Sequence, residues 1–224
     1  MTKTITIVHM GDSITYGQYV DSASRWTSLV AEWLRGSFPE LRIKSANRGI
    51  SGETTRMGLE RFPADVQESA PDVMTLQFGL NDCNCWVTDR GLPRVSERAF
   101  AANLTEMVNR ARHFGAREIV MQTNHRTLRR APLPSGEVYE DANARYSQLL
   151  REVAHETGSA LCDIRPVFDP FDDGELKRML LPAPDLLHLS NAGNAVYADA
   201  VYPFVRAAVE RAVSAKFDLE VQPS

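Results

Sequence analysis

A serine near the beginning of the chain and a histidine near its end are the residues best suited to nucleophilic chemistry. Ser13 lies in Gly11-Asp-Ser-Ile-Thr-Tyr-Gly17, directly after a β-branched, apolar run. A serine hydroxyl is a weak nucleophile unless a neighbouring base removes its proton, so a histidine has to accompany it. An isolated Gly-Asp-Ser is more typical of a polar turn in which the serine caps a helix. The segment also differs from the Gly-x-Ser-x-Gly elbow, because Ile14-Thr15 follows the serine.

His188 has the sequence context of a general base. Asp185 precedes it by three residues in Pro184-Asp-Leu-Leu-His-Leu-Ser190, so the carboxylate can reach the imidazole within a turn. Such a contact fixes the histidine tautomer and stabilises the imidazolium. Asp-x-x-His pairs also occur by chance, but the position of this pair before the last predicted helix favours a catalytic interpretation. Of the other histidines, His9 lies inside the first predicted strand, and we interpret His113 and His155, late in predicted helices, as structural.

Two further blocks carry hydrogen-bond donors. Asn47-Arg-Gly-Ile-Ser-Gly-Glu-Thr-Thr55 follows the second predicted strand, and Gly79-Leu-Asn-Asp82 follows the third. Both blocks are also compatible with ordinary glycine-containing turns. A glycine N–H and an asparagine side-chain amide are, however, the donors that an oxyanion hole requires.

Taken in order, these four blocks resemble the SGNH subgroup of GDSL-type esterases and lipases. The similarity is carried by Ser13, Gly52, Asn81 and His188, between residues 11 and 188. The resemblance implies Ser13 as nucleophile, His188 as base and Asp185 as its partner. It implies an oxyanion hole formed by the N–H of Ser13, the N–H of Gly52 and the side chain of Asn81. It also implies that no metal or organic cofactor is needed.

The elements that must position these blocks alternate between strand and helix. The patterns predict strands at 4–10, 41–47, 72–78, 117–123 and 159–164, and helices at 24–34, 54–68, 96–114, 140–157 and 191–215. Such alternation predicts an α/β protein with a parallel sheet and helices on both faces, with ligands at the carboxyl ends of the strands. The resemblance implies a three-layer flavodoxin-like fold with strand order 2-1-3-4-5. We expect one domain over residues 1–216 and a C-terminal tail over 217–224.

Two long loops, 83–95 and 124–138, follow predicted strands and are candidates for substrate binding. They supply Trp86, Arg90, Arg94, His125 and Arg126 as candidate substrate contacts. An aromatic ring beside hydrogen-bonding groups suits a sugar, whereas charged groups disfavour a long alkyl chain. The residues of the first loop are also compatible with a role in folding the loop alone. The three arginines of Asn124-His-Arg-Thr-Leu-Arg-Arg130 indicate a solvated basic surface or, alternatively, recognition of an anionic substrate group. The interpretation favoured is a short acyl group, acetyl, on a polar or carbohydrate alcohol.

The leading functional hypothesis is therefore a serine esterase that forms an acyl-enzyme on Ser13. An acyltransferase could use the same site if a second alcohol replaced water, and a lysophospholipase or thioesterase would differ in its substrate. A flavodoxin-like binding module without catalysis is disfavoured, because such a module does not need serine, histidine, aspartate, glycine and asparagine together.

Composition excludes several other classes of protein. The 224 residues include 25 Lys and Arg against 29 Asp and Glu, which is not the basic excess of a nucleic-acid-binding protein. No stretch approaches the roughly 20 apolar residues that insertion across a membrane requires. The expected partner is a small-molecule ester, and the sequence leaves the oligomeric state open.

The cysteines and the N-terminus indicate a reducing compartment. Cys83, Cys85 and Cys162 are too few and odd in number for a disulfide framework, and Cys-x-Cys is unlike the spacing of zinc sites. The apolar run within residues 1–10 is too short for a signal peptide, so a cytoplasmic location is expected. A chain from which a signal peptide had been removed would show the same sequence.

Overall fold

A five-stranded parallel sheet lies at the centre of the computed structural model, which describes residues 2–217. The strand order is β2-β1-β3-β4-β5, which confirms the predicted topology. The strands are β1 Thr4–Gly11, β2 Arg42–Gly49, β3 Val73–Gln77, β4 Glu118–Gln122 and β5 Ala160–Cys162. Gly11 aligns with Gly49 of β2 and with Gln77 of β3, so these strands end at the same edge of the sheet.

Helices cover both faces of the sheet. They are α1 Ser13–Tyr16, α2 Trp26–Ser37, α3 Thr55–Phe62, α4 Glu97–His113, α5 Tyr139–Thr157, α6 Arg165–Phe168, α7 Asp173–Met179 and α8 Asn191–Phe217. The ring of His9 packs edge-on against Trp26 of α2, whereas Met10 lies against Gly58 of α3. Since successive strand residues point to opposite faces, α2 and α3 lie on opposite sides of the sheet.

Most predicted elements are present, with shifted ends. The helix predicted to end before Gly36 continues to Ser37, because a glycine within a helix costs only about 1 kcal/mol. The break expected near Pro63 is present: α3 ends at Phe62, and a π-helical turn follows over Pro63–Gln67. Of the tail predicted over 217–224, Phe217 is the last residue of α8, and 218–224 lie outside the described residues.

The turn that leads from β1 into α1 lies directly against the end of β2. A Cβ atom on Gly49 would be 2.2 Å from the backbone nitrogen of Tyr16 and 2.7 Å from the carbonyl carbon of Thr15. These neighbours are backbone atoms of α1, which cannot move without displacing the helix. Glycine at position 49 therefore allows α1 to begin immediately beyond the sheet.

We predict that Gly49→Ala lowers the free energy of unfolding by about 2 kcal/mol or more, because the added methyl overlaps the backbone of α1. Gly36→Ala is the matched control. A Cβ at position 36 meets nothing within 4 Å, so this variant should be more stable than the parent by about 0.5–1 kcal/mol. Urea unfolding of both variants measures the difference, and equal effects would contradict the close approach.

Candidate active site

Ser13 is the first residue of α1 and lies at the carboxyl edge of the sheet. The cap of this helix is Asp12, whose Oδ1 accepts a hydrogen bond from the N–H of Ile14 at 2.9 Å. Ser13 is therefore not the capping residue that the simpler interpretation of Gly-Asp-Ser expects. Its hydroxyl is available to another partner, and its N–H is one of the first-turn donors that helix geometry leaves unpaired.

That partner is His188, and Asp185 lies behind it. The Oγ of Ser13 is 2.9 Å from Nε2 of His188, and Nδ1 of His188 is 2.7 Å from Oδ2 of Asp185. The N–H groups of Leu187 and His188 donate to the other carboxylate oxygen at 2.9 and 2.7 Å. Partial burial raises the pKa of Asp185, but these hydrogen bonds outweigh it and hold the pKa below its usual value. An ionised Asp185 accepts the Nδ1 proton, which leaves Nε2 free to accept the proton of Ser13.

The segment that carries His188 is held by main-chain contacts. The carbonyl of His188 accepts the N–H of Leu181 at 2.8 Å, and the carbonyl of Asp185 accepts Nε–H of Arg129 at 2.9 Å. Helix α8 begins three residues after His188. The imidazole is consequently fixed from both sides, although Asp185 and His188 lie outside regular secondary structure.

Gly52 and Asn81 line the same cavity as Ser13 and His188. This cavity has a volume of about 290 Å³ and opens at the carboxyl edge of the sheet. Gly52 adopts a left-handed backbone conformation with a φ of 80°, and its carbonyl accepts a hydrogen bond from Arg94 at 3.0 Å. The structure therefore brings together all five residues that the sequence indicated for catalysis and for the oxyanion hole.

A buried carboxylate connects the two donor blocks. Oδ1 of Asp82 accepts the N–H of Thr55 at 2.8 Å and its hydroxyl at 2.6 Å. Burial raises the pKa of Asp82 to about 6, against the opposing effect of the hydrogen bonds from Thr55. Asp82 follows Asn81 directly, and Thr55 is three residues from Gly52. The contact thus fixes the two donor-bearing loops relative to each other.

A second buried carboxylate lies beneath Ser13. Burial raises the pKa of Asp12 to about 7, although hydrogen bonds from Ile14 and Gln77 act in the opposite direction. The amide of Gln77 donates to Asp12 at 3.3 Å and to Asn124 at 2.8 Å, and its oxygen accepts the hydroxyl of Thr15 at 3.1 Å. These contacts join the ends of β1, β3 and β4 below the cavity floor.

The three substrate candidates of the loop 83–95 lie outside the cavity wall. Trp86 is 53% exposed, and the guanidinium of Arg94 stacks on its ring at 4.2 Å. Arg94 contacts the site through a hydrogen bond that it donates to the carbonyl of Gly52. Arg90 is exposed and adopts a left-handed conformation that ends a short 3₁₀ turn.

His125 and Arg126 do not reach the cavity, so their predicted placement is corrected. His125 is fully buried, its Nε2 donates to the carbonyl of Leu187 at 2.8 Å, and burial lowers its pKa to about 4. Arg126 donates to the carbonyl of Phe171 at 2.6 Å and lies 3.5 Å from Asp173. Both side chains point toward other elements because the backbone of this loop turns after β4, which local sequence does not reveal.

Other residues that line the cavity are not among the individual substrate contacts predicted from the sequence. They include Tyr19, Asn84, Arg129 and Tyr139. Asn84 and Arg129 belong to the two long loops that the sequence indicated as candidates for substrate binding. Tyr19, 70% exposed, packs edge-on against His188 at 5.4 Å and follows the serine block closely in sequence. Tyr139 begins α5, and nothing in its local sequence distinguishes it from a core aromatic residue.

The cysteines lie apart from this chemistry. All three are buried free thiols, and burial raises the pKa of Cys83 and raises that of Cys162 to about 12. Residues 2–217 contain no group of three or more His, Cys, Asp or Glu placed to hold a metal ion. In the same range, no helix has the length and apolarity that crossing a membrane requires.

A Ser–His–Asp arrangement at the carboxyl edge of a 2-1-3-4-5 parallel sheet defines a class of α/β proteins with the geometry of serine hydrolases. The family model described as "GDSL-like Lipase/Acylhydrolase family" matches residues 9–196. The chain belongs to this family.

Similarity to an acetylxylan esterase from Geobacillus stearothermophilus extends over most of both chains. The two sequences are 26% identical over 220 residues, which cover 87% of this chain and 90% of the esterase. The crystal structure of an acetylxylan esterase from the same organism superposes with a TM-score of 0.69 at 25% identity, covering 93% of this chain and 96% of that one.

Two other relatives match over a shorter length. A lipoprotein from Bacillus subtilis is 32% identical over 120 residues, and an arylesterase from Vibrio mimicus is 28% identical over 132 residues. These matches cover 51% and 59% of this chain, and 46% and 58% of the two relatives. The aligned part thus spans about half the length of either relative.

We predict that Asp185→Asn lowers kcat for ester hydrolysis by about 10⁴ with little loss of stability. The asparagine oxygen can still accept the N–H groups of Leu187 and His188. Its amide nitrogen, however, would donate to Nδ1 of His188 and force the proton onto Nε2, which then cannot accept the proton of Ser13. Steady-state kinetics with phenyl acetate measure the loss, and exposed Asp141→Asn is the control. Activity within tenfold of the parent would contradict the role given to Asp185.

Proposed function

We propose that this chain is a serine esterase that removes a short acyl group, acetyl, from a polar or carbohydrate alcohol. One observation carries the proposal: Ser13, His188 and Asp185 form a continuous line of hydrogen bonds that opens into a cavity. A binding protein has no need of a serine hydroxyl directed at an imidazole whose other nitrogen faces a carboxylate.

In the proposed reaction, Oγ of Ser13 attacks the acyl carbon while Nε2 of His188 takes the hydroxyl proton. Asp185 stabilises the imidazolium that forms. His188 then protonates the departing alcohol, which leaves an acyl-enzyme on Ser13. A water molecule, deprotonated by His188, attacks this ester, and its collapse releases the carboxylic acid and restores the serine hydroxyl.

The negative oxygen that develops during each attack requires donors already in place. The N–H of Ser13 lies at the first turn of α1, where the helix dipole also favours negative charge. Gly52 and Asn81 line the same cavity, and Asp82 holds their two loops together through Thr55. We assign the N–H of Gly52 and the side-chain amide of Asn81 as the second and third donors.

The size and polarity of the cavity support a short acyl group. Its volume of about 290 Å³ is shared by polar side chains that include Gln18, Ser51, Asn81 and Asn84. Leu80 and Leu187 also line the wall, but a long alkyl chain in this cavity would leave the polar groups unpaired. The extensive similarity to an acetylxylan esterase favours the same class of substrate.

An exposed aromatic ring beside the base supports a sugar as the alcohol. The sequence favoured Trp86 for this role, but Trp86 does not line the cavity. Tyr19 lines the cavity and packs against His188, which places its ring next to the position of the leaving alcohol. We assign Tyr19 as the platform on which a sugar ring stacks.

A different cavity favours a second candidate function. It adjoins the first, shares Asn84, Arg129 and Tyr139 with it, and has a volume of about 440 Å³. Its wall is apolar and includes Leu133 and Leu186. An enzyme of the lysophospholipase or thioesterase type would place a longer acyl chain there. An acyltransferase would use the same catalytic residues with a second alcohol in place of water.

We predict that Ser13→Ala and His188→Ala each reduce kcat by several orders of magnitude, because the two residues act as a unit. Both variants should retain the circular dichroism spectrum and unfolding midpoint of the parent. Exposed His155→Ala is the matched control and should keep full activity. A Ser13→Ala protein with more than about a tenth of the parental kcat would exclude Ser13 as nucleophile.

For Asn81, we predict that replacement by alanine lowers kcat about 10²- to 10³-fold with a smaller change in KM, since an oxyanion donor acts mainly in the transition state. Asn81→Asp should be at least as impaired, because a carboxylate repels the developing charge. The exposed helical Asn109→Ala serves as control. A raised KM with unchanged kcat would make Asn81 a residue that binds the ground state.

The substrate class is tested with p-nitrophenyl esters from acetate to palmitate, followed by acetylated sugars. We expect kcat/KM to be highest for acetate and to fall beyond butyrate. Values that climb with chain length would favour the second candidate. Turnover of p-nitrophenyl acetate without activity on any acetylated sugar would exclude a carbohydrate as the alcohol portion of the substrate. Product analysis with added alcohols separates hydrolysis from acyl transfer.

A further inference from the structure

Three arginines lie within the five residues 126–130 of the loop that follows β4, and their partners differ. Arg126 and Arg130 both lie near the carboxylate of Asp173, at 3.5 and 3.2 Å. Arg129 forms no ion pair with an acidic side chain among residues 2–217. Its Nε–H donates to the carbonyl of Asp185 at 2.9 Å, and its guanidinium lies 5.6 Å from the ring centroid of Tyr139.

Arg129 lies where the catalytic cavity meets the adjoining apolar cavity, and it contributes to the walls of both. The bond from Nε holds the guanidinium in place, so its two terminal nitrogens are presented without the usual cost of ordering a long side chain. The side chain is half-buried. A fixed, partly desolvated cation without an acidic partner favours an anionic ligand.

A second donor lies on the same shared wall. Oδ1 of Asn84 accepts the N–H of Cys85 at 2.9 Å, which sets the orientation of the amide. The Nδ2 group of Asn84 then has no acceptor among residues 2–217. Asn84 and Arg129 are two of the three residues common to both cavities, so their donors border the same space.

We propose that Arg129 and Asn84 form a subsite for a carboxylate carried by the alcohol portion of the ester. The inference rests on the proposed function, because it takes Ser13 as the centre at which the ester is cleaved. An acetyl group is too small to carry an acid, so the carboxylate belongs to the leaving alcohol. The planar guanidinium matches a carboxylate with two parallel hydrogen bonds. The substrate class is thus an acetylated hydroxy acid or acidic sugar rather than a neutral one.

The test compares 4-acetoxybenzoate with its neutral methyl ester, in the parent and in Arg129→Gln. For each protein, kcat/KM for 4-acetoxybenzoate is divided by kcat/KM for the methyl ester. The intrinsic reactivities of the two esters contribute equally to this ratio in every protein, so a change in the ratio reports a change in recognition of the carboxylate. We expect Arg129→Gln to lower this ratio by about tenfold, the effect of losing a hydrogen bond to a charged group. Arg129→Lys should keep part of the ratio. Exposed Arg117→Gln, at the opposite end of the sheet, controls for net charge and should leave the ratio unchanged.

The kinetics of Arg129→Gln distinguish a carboxylate subsite from a purely structural role of Arg129. A ratio that stays constant while both esters are cleaved more slowly would assign Arg129 only to holding Asp185, and would overturn the subsite. An unchanged ratio with unchanged rates would overturn it as well. In both cases continued cleavage of the neutral ester leaves the proposed esterase function standing. If the parent protein cleaved neither ester, this result would instead contradict the esterase function.

A measurement on the parent protein avoids any dependence on variants. Benzoate should inhibit cleavage of phenyl acetate competitively, and benzamide, of similar shape but neutral, should inhibit at least several-fold more weakly. The advantage of benzoate should shrink between 20 mM and 500 mM salt, because ions screen a partly exposed charge. Equal inhibition by the two compounds at low salt would overturn the subsite.

Discussion

The hydrogen bond between Ser13 and His188 joins residues 175 positions apart, and most of the fold serves to keep its two ends within 2.9 Å. Ser13 is fixed because α1 begins directly at the end of β1 and lies against Gly49 of β2. His188 lies in a segment without regular structure, and this segment is held by hydrogen bonds to two of its carbonyl groups, from the side chain of Arg129 and from the N–H of Leu181. The two ends are thus positioned by different means, one by the sheet and one by loop-to-loop contacts.

Buried carboxylates beneath the cavity extend this positioning to the loops that carry the proposed oxyanion donors. Asp82 binds Thr55, and Asp12 binds the N–H of Ile14 and the amide of Gln77. Burial raises the pKa of both acids, to about 6 and about 7, which reflects the cost of placing them there. That cost is offset by hydrogen bonds that set the backbone around Ser13, Gly52 and Asn81. The proposed oxyanion hole requires such a fixed arrangement of donors.

The parallel sheet and the residues around Ser13 could be predicted because they depend on local patterns, whereas the strand order followed from the resemblance to GDSL-type esterases. Alternating strands and helices specify a parallel sheet, and the blocks that follow β1, β2 and β3 must then meet at one edge. The substrate contacts could not be predicted in this way. Arg126 and Arg129 lie in the same loop with similar neighbours, yet only Arg129 reaches the cavity. The two side chains have different distant partners: Arg129 donates to the carbonyl of Asp185, and Arg126 donates to the carbonyl of Phe171. The short helices α6 and α7 were likewise missed, since neither is long enough to show periodicity.

The most direct test of the central claim is covalent labelling of the intact protein with a fluorophosphonate. The serine oxygen that is activated by His188 should displace fluoride and form a phosphonate ester. We expect one adduct per chain by mass spectrometry, located on Ser13 by peptide mapping and absent from Ser13→Ala. An adduct on another residue, or no adduct on a preparation that hydrolyses phenyl acetate, would contradict the assignment of Ser13 as the nucleophile.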